Sequence, residues 1–92
     1  MDSYEFSELM KKLKTKIENI KNIVKPDEVK KRLAEISEME MREDFWSDAK
    51  RAGEIQKEKN RLERLLKRYE EAESAVNDAI DLFEMATEEK DE

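Results

Sequence analysis

Four basic side chains are spaced as on one face of a helix near the middle of this sequence. They follow one another at steps of four, three and four residues: Lys57, Arg61, Arg64 and Arg68. On a helix they share one face and span roughly 16 Å of its axis, at 1.5 Å per residue. Such a row suits the phosphates of a nucleic acid, with affinity falling as salt rises. We name these four residues the basic stripe, and contact with RNA is one hypothesis for them.

The same spacing also fits a solvated face of a coiled coil, where charges of both signs alternate. Glu54, Glu58 and Glu63 lie among the cations and partly neutralise them. The sequence favours the solvated face, because alternating charge is what exposed coiled-coil faces normally carry, and RNA contact is the alternative hypothesis.

Residues that usually perform catalysis are scarce in this chain. It contains no Cys, no His and a single glycine, Gly53. Thiolate nucleophiles, Cys/His zinc sites, His bases and glycine-rich phosphate loops are therefore excluded. Carboxylates on a polar helix are expected to be solvated or paired rather than buried with a raised pKa. We predict that the chain is not an enzyme and has no metal, no cofactor and no small-molecule substrate.

Two adjacent aromatic residues, Phe45 and Trp46, interrupt the helical periodicity. Large aromatic side chains at a helix junction bury area where the chain turns, and we predict Trp46 as the buried plug. The alternative is an exposed anchor for a partner, with Phe45 as the buried member. Ser47 and Asp48 offer an N-cap and a first-turn carboxylate for the next helix. We name these residues, Phe45, Trp46, Ser47 and Asp48, the junction.

Helices are the elements that must position these side chains. Nearly half of the residues are charged, and Gly and Pro occur once each, a composition typical of long helices and coiled coils. The apolar spacing predicts a single all-α domain over residues 1–92, a long antiparallel hairpin or coiled-coil-like bundle. Its predicted parts are three helices at about 4–24, 26–41 and 47–86, and a frayed acidic tail at 87–92.

Two apolar rows indicate how these helices pack. The row of the first helix consists of Phe6, Leu9, Leu13, Ile17, Ile20 and Val24. The row of the third helix repeats every seven residues, at Ile55, Leu62, Tyr69, Val76 and Phe83. This heptad predicts coiled-coil packing, although Lys59 and Glu73 interrupt the neighbouring row.

The break at Pro26 leaves two arrangements open. If Pro26 only bends the first two helices into one rod, that rod pairs antiparallel with the third helix and Phe6 lies beside Phe83. If the chain reverses there, an up-down-up bundle places Phe6 near Trp46. We favour the bent hairpin, because it buries both apolar rows along their whole length.

The segment around the junction resembles a known family. The similar runs are Arg32-Leu33-Ala34-Glu35-Ile36 and Asp44-Phe45-Trp46-Ser47-Asp48, followed by Ala52, Lys57-Glu58 and Leu62-Glu63. They are similar to the amino-terminal helical domain of the bacterial peptide chain release factor 2 family, over roughly residues 27–92. The aromatic pair followed by a short polar residue and Asp is the specific part of this resemblance.

The resemblance implies a factor that enters the ribosome at UGA or UAA stop codons and triggers hydrolysis of peptidyl-tRNA. The family's catalytic Gly-Gly-Gln and codon-reading Ser-Pro-Phe tripeptides do not occur in this sequence. It therefore implies an excised N-terminal domain of a longer protein, which docks near the stalk and GTPase-associated region of the large ribosomal subunit.

Two functions of other classes stay open. The heptad suits a free-standing coiled coil that self-associates as a dimeric structural or adaptor protein, and the basic stripe suits a small helical RNA-binding protein. The length of the gene's reading frame separates these two functions from the release-factor hypothesis, because a frame that stops at Glu92 contradicts a release factor. Since no apolar run is long enough to insert into a bilayer, we expect a cytoplasmic protein without a membrane partner.

Overall fold

The computed structural model describes residues 2–90 of the chain, and all the regular structure within them is helical. The helices are α1 Ser3–Val24, α2 Pro26–Glu40, α3 Glu43–Ser47 and α4 Ala49–Lys90. The predicted all-α class, with the longest helix last, is confirmed. The chain divides into two compact units. One contains the residues up to Ile23 together with those from Glu70 onward, and the other is Val24–Tyr69.

The predicted helix boundaries are wrong around the junction and at the end of the last helix. Glu43–Ser47 forms a separate one-turn helix, so α4 begins at Ala49 rather than at residue 47. At its other end α4 continues past residue 86 through Lys90, because residues 87–90 contain no Gly or Pro that would end the helix. Residues 91 and 92 of the predicted tail lie outside the described range.

Local backbone chemistry explains where the first two helices begin. The Asp2 carboxylate accepts a hydrogen bond from the Glu5 amide at 2.8 Å, which is the N-cap geometry of α1. Lys25 stands between α1 and α2 in the left-handed region, at φ 54° and ψ 64°. Proline disfavours the right-handed helical region for the residue before it, while its own fixed φ suits the first position of a helix. Pro26 therefore opens α2, as predicted.

The first unit is built from α1 and the end of α4. The rings of Phe6 and Phe83 lie 4.7 Å apart, which is the neighbour that the bent hairpin predicts for Phe6. Met10 is buried here, whereas Leu9, which we expected in the apolar row, is 38% exposed. Ile20, another expected member of the row, is 41% exposed, so the predicted row is only partly buried. With Met10 in place of Leu9, the apolar positions alternate in steps of four and three, the spacing of a heptad seam.

The second unit contains α2, α3 and the first part of α4. Ile36 is completely buried, and Val29, Phe45, Ala52 and Tyr69 are nearly so. Tyr69 belongs to the predicted heptad row, and the other four members of that row are half-buried, so the row is confirmed. Within the described part of the chain, no helix has the length and apolar character needed to cross a membrane.

Candidate nucleic-acid interface and the junction

The basic stripe lies on the surface of α4. All four of its side chains are exposed, and among residues 2–90 none of them forms a salt bridge. Since α4 runs without interruption through this region, the stripe is a row of fixed spacing on a regular helix. The geometry is therefore the one that the sequence predicted, and the chemical nature of its partner stays a prediction.

One carboxylate expected to neutralise the stripe is engaged elsewhere. Both oxygens of Glu58 accept hydrogen bonds from the Arg32 guanidinium of α2, at 2.9 Å from Nε and 2.8 Å from Nη2. This two-pronged bond lowers the pKa of Glu58, and the positive charge of Arg61 lowers it slightly further. Glu58 therefore ties α2 to α4, and the neutralisation of the neighbouring cations is weaker than the sequence suggested.

A second ionic contact joins the same two helices. Lys59, which interrupts the row beside the apolar heptad, places its Nζ 3.0 and 3.1 Å from the two carboxylate oxygens of Glu40. The Gln56 amide donates to the same carboxylate at 3.2 Å, and the bond from Lys59 is the main cause of the lowered pKa of Glu40. Neither contact was predicted from the sequence, although a lysine in the row beside the apolar heptad was a signal that a carboxylate lies opposite.

The junction buries the aromatic residue that we did not favour. Phe45 is 8% exposed, whereas Trp46 is 53% exposed, so the prediction of Trp46 as the plug is wrong and Phe45 has that role. The two rings meet edge to face with their centroids 4.8 Å apart. Successive residues of a helix point about 100° apart, so a single turn directs only one of the two side chains inward. The Trp46 indole instead donates from Nε1 to the Glu40 carbonyl at 3.0 Å, satisfying a carbonyl at the end of α2.

The two polar residues of the junction have separate roles. The prediction of Ser47 as the N-cap and Asp48 as the first-turn carboxylate is wrong, because Ser47 lies in α3 and the Asp48 carboxylate accepts a hydrogen bond from the Arg51 amide at 3.1 Å, which makes Asp48 the N-cap of α4. Ser47 belongs to α3 and donates its hydroxyl proton to the Asp44 carbonyl at 2.7 Å. In the described residues, no group of three or more His, Cys, Asp or Glu side chains is arranged to hold a metal ion.

Comparison with known proteins places these features in a family. The model of the PCRF domain family matches residues 29–92. A peptide chain release factor 2 from a Nitratiruptor species is 70% identical over 91 residues, and one from Wolinella succinogenes is 59% identical over 92 residues. These alignments cover 99% and 100% of this chain but 25% of each relative, so the chain spans about a quarter of their length.

A third relative, a peptide chain release factor 2 of Campylobacter jejuni, is 54% identical over 91 residues, again 99% of this chain and 25% of the relative. No solved structure matches the chain significantly. The resemblance to release factor 2 noted in the sequence is confirmed by these relatives. Because the family model matches more than half of its residues, the chain belongs to the PCRF domain family.

Proposed function

We propose that this chain is the N-terminal, non-catalytic docking domain of a translation release factor that ends protein synthesis at UGA and UAA stop codons in the cytoplasm. The observation that carries the proposal is the 70% identity to a peptide chain release factor 2 over nearly the whole chain. The absence of Cys and His from the sequence supports a binding role for this part rather than a catalytic one.

Docking on the ribosome is assigned to the basic stripe in this proposal. Its four cations are exposed, unpaired among the described residues and fixed in spacing by α4. Because Arg32 occupies the Glu58 carboxylate, that carboxylate competes less with ribosomal phosphates for Arg61. By family resemblance, the place of docking is the stalk and GTPase-associated region of the large subunit.

The experiment that tests this docking reverses two charges of the stripe in the full-length factor. Arg61→Glu with Arg64→Glu is expected to weaken binding to ribosomes at low salt. It is also expected to reduce the slope of log affinity against log salt by about two, because two fewer cations neutralise phosphates. Binding is measured by co-sedimentation over a series of KCl concentrations, and circular dichroism checks that helicity is kept.

The matched control changes the same charge on α1, where Lys12 and Lys16 are both exposed. Lys12→Glu with Lys16→Glu is expected to leave the salt slope near the wild-type value. Equal binding of the stripe variant and the wild type at low salt would contradict the docking role. A reading frame that ends at Glu92 would contradict the release factor itself.

The alternative of a dimeric coiled coil has less support from the packing. The heptad row that motivated it is covered within the chain, with Tyr69 5% exposed and Phe83 in contact with Phe6. A coiled-coil dimer needs such a row free to face a partner helix. Sedimentation equilibrium is therefore expected to show a monomer.

A further inference from the structure

The Glu58 carboxylate lies on the same helix as the basic stripe but is bonded to another helix. We propose that Arg32 is a positioning residue for the stripe, because it holds this carboxylate and so keeps Arg61 free to bind a phosphate. The charge of the stripe then depends on the contact between α2 and α4. This inference rests on the proposed function and adds to it the residue that keeps the docking surface positive.

Glu58 is the one carboxylate of α4 that is spaced to neutralise the centre of the stripe. Side chains three or four residues apart meet on a helix, and opposite charges at that spacing pair. Glu58 precedes Arg61 by three residues, whereas the other residues at these spacings from Arg61 and Arg64 are basic, apolar or amide side chains. A released Glu58 therefore interrupts the stripe in its middle.

The charges of Glu58 and Arg61 already interact across α4. The bond from Arg32 is the main cause of the lowered pKa of Glu58, and the charge of Arg61 lowers it further. The Glu58 side chain is 27% exposed, so it lies close enough to the surface to turn toward Arg61 when it is released. Its bond to α2 is therefore what keeps Glu58 from pairing with the stripe.

The guanidinium of Arg32 is arranged to hold a carboxylate in one orientation. Its Nε and Nη2 donate to different oxygens of Glu58 at 2.9 and 2.8 Å, and its Nη1 donates to Glu35 of its own helix at 3.3 Å. A guanidinium is planar and presents its donors in a fixed fork, so bonds to two carboxylates fix its orientation. The two-pronged bond occupies both oxygens of Glu58.

The second ionic contact between the same helices does not have this effect. Lys59 of α4 pairs with Glu40 of α2, so the carboxylate in that contact belongs to the helix without the stripe. In the contact of Arg32 the carboxylate comes from the helix of the stripe itself. Arg32 is therefore the residue whose loss adds a free negative charge beside the docking cations.

The test measures binding of the full-length factor to ribosomes by equilibrium titration over a series of KCl concentrations. Arg32→Gln is expected to weaken binding about two- to threefold at low salt, because the released Glu58 pairs with Arg61. The slope of log affinity against log salt is expected to fall by up to about one. Adding Glu58→Gln to Arg32→Gln is expected to restore both quantities, because no carboxylate is then released.

Two controls separate positioning from stability and from net charge. Glu58→Gln alone breaks the same contact between α2 and α4, yet it is expected to bind at least as tightly as the wild type. Weaker binding by Glu58→Gln would assign the contact a structural role only and overturn the proposal. Lys30→Gln removes one positive charge from an exposed position of α2 and is expected to keep the wild-type salt slope. An equal loss for Lys30→Gln and Arg32→Gln would also overturn it.

Circular dichroism checks the folding of each variant. If Arg32→Gln does not fold, Arg32→Lys replaces it, since lysine keeps the charge but lacks the fork, and a smaller loss with the same restoration by Glu58→Gln is expected.

The two proposals fail in different ways. If reversal of Arg61 and Arg64 leaves binding unchanged, the docking role of the stripe is overturned and the role of Arg32 with it. If that reversal weakens binding but Arg32→Gln does not, or if Glu58→Gln fails to restore the Arg32→Gln variant, the role of Arg32 alone is overturned.

Discussion

The two compact units of this chain differ in how deeply their described side chains are buried. The unit Val24–Tyr69 combines a completely buried Ile36 with ionic contacts that join α2 to α4. In the unit formed by the two ends of the chain, Met10 is the one buried residue among those described, and Leu82 and Met85 are largely exposed. The completely buried Ile36 and the ionic contacts of Arg32 and Lys59 therefore lie in the part that carries the basic stripe. A rigid scaffold there is what a docking function requires.

The largest expected effect is on the aromatic core of the central unit. Phe45→Ala removes a buried ring and is expected to lower the free energy of unfolding by about 3 to 5 kcal/mol. Trp46→Ala, its neighbour, is expected to lose only about 1 to 2 kcal/mol, because half of the side chain is exposed and one hydrogen bond is removed. Urea denaturation followed by circular dichroism measures both. A larger loss for Trp46→Ala would reverse the assignment of the plug.

A smaller effect is expected in the unit formed by the two ends. Met10→Ala removes its best-buried side chain and is expected to lower the free energy of unfolding by about 2 to 3 kcal/mol. The control is Leu9→Ala, the adjacent residue at 38% exposure, with an expected loss below about 1 kcal/mol. If the two variants lose equal stability, the register of α1 is incorrect.

How much of this could be predicted from the sequence depends on the range of the interaction. The break at Lys25 and Pro26 and the heptad row through Tyr69 follow from local backbone rules and periodicity, and both are confirmed. The orientation of Phe45 and Trp46 depends on the rotation of a single helical turn against its neighbours, which periodicity does not report. The partner of Lys59 likewise lies on another helix. For the basic stripe, the sequence predicted a shared exposed face, while contact with RNA depends on a partner outside the chain.

Backbone strain at the start of the central unit offers a stabilising change. Lys25 adopts a left-handed conformation that costs about 1 to 2 kcal/mol for a residue with a Cβ and that glycine adopts freely. Lys25→Gly is expected to raise the free energy of unfolding by about 0.5 to 1 kcal/mol, because glycine's larger entropy in the unfolded state offsets part of the gain. The control is Lys30→Gly, within α2, which is expected to lose about 1 kcal/mol. Thermal melting measures both variants, and the melting temperature is expected to rise for Lys25→Gly and to fall for Lys30→Gly.

The smallest expected effect tests the ionic contacts of the central unit through pH. Bonds from Lys59 and Arg32 lower the pKa values of Glu40 and Glu58 below the ordinary 4.5, so each ionised carboxylate stabilises the fold above that pH. This stability is lost as the pH falls from about 4.5 through the lowered values, because the folded state must then take up protons that the unfolded state already holds. Glu40→Gln with Glu58→Gln is therefore expected to reduce the dependence of the free energy of unfolding on pH below pH 4.5. The reduction is modest, because solvent screens partly exposed pairs.

The control is Glu54→Gln with Glu63→Gln, which removes two exposed carboxylates of α4. Its free energy of unfolding is expected to depend on pH much as that of the wild type does. If both double variants reduce this pH dependence equally, the number of carboxylates, and not the two cross-helix contacts, determines the loss of stability in acid.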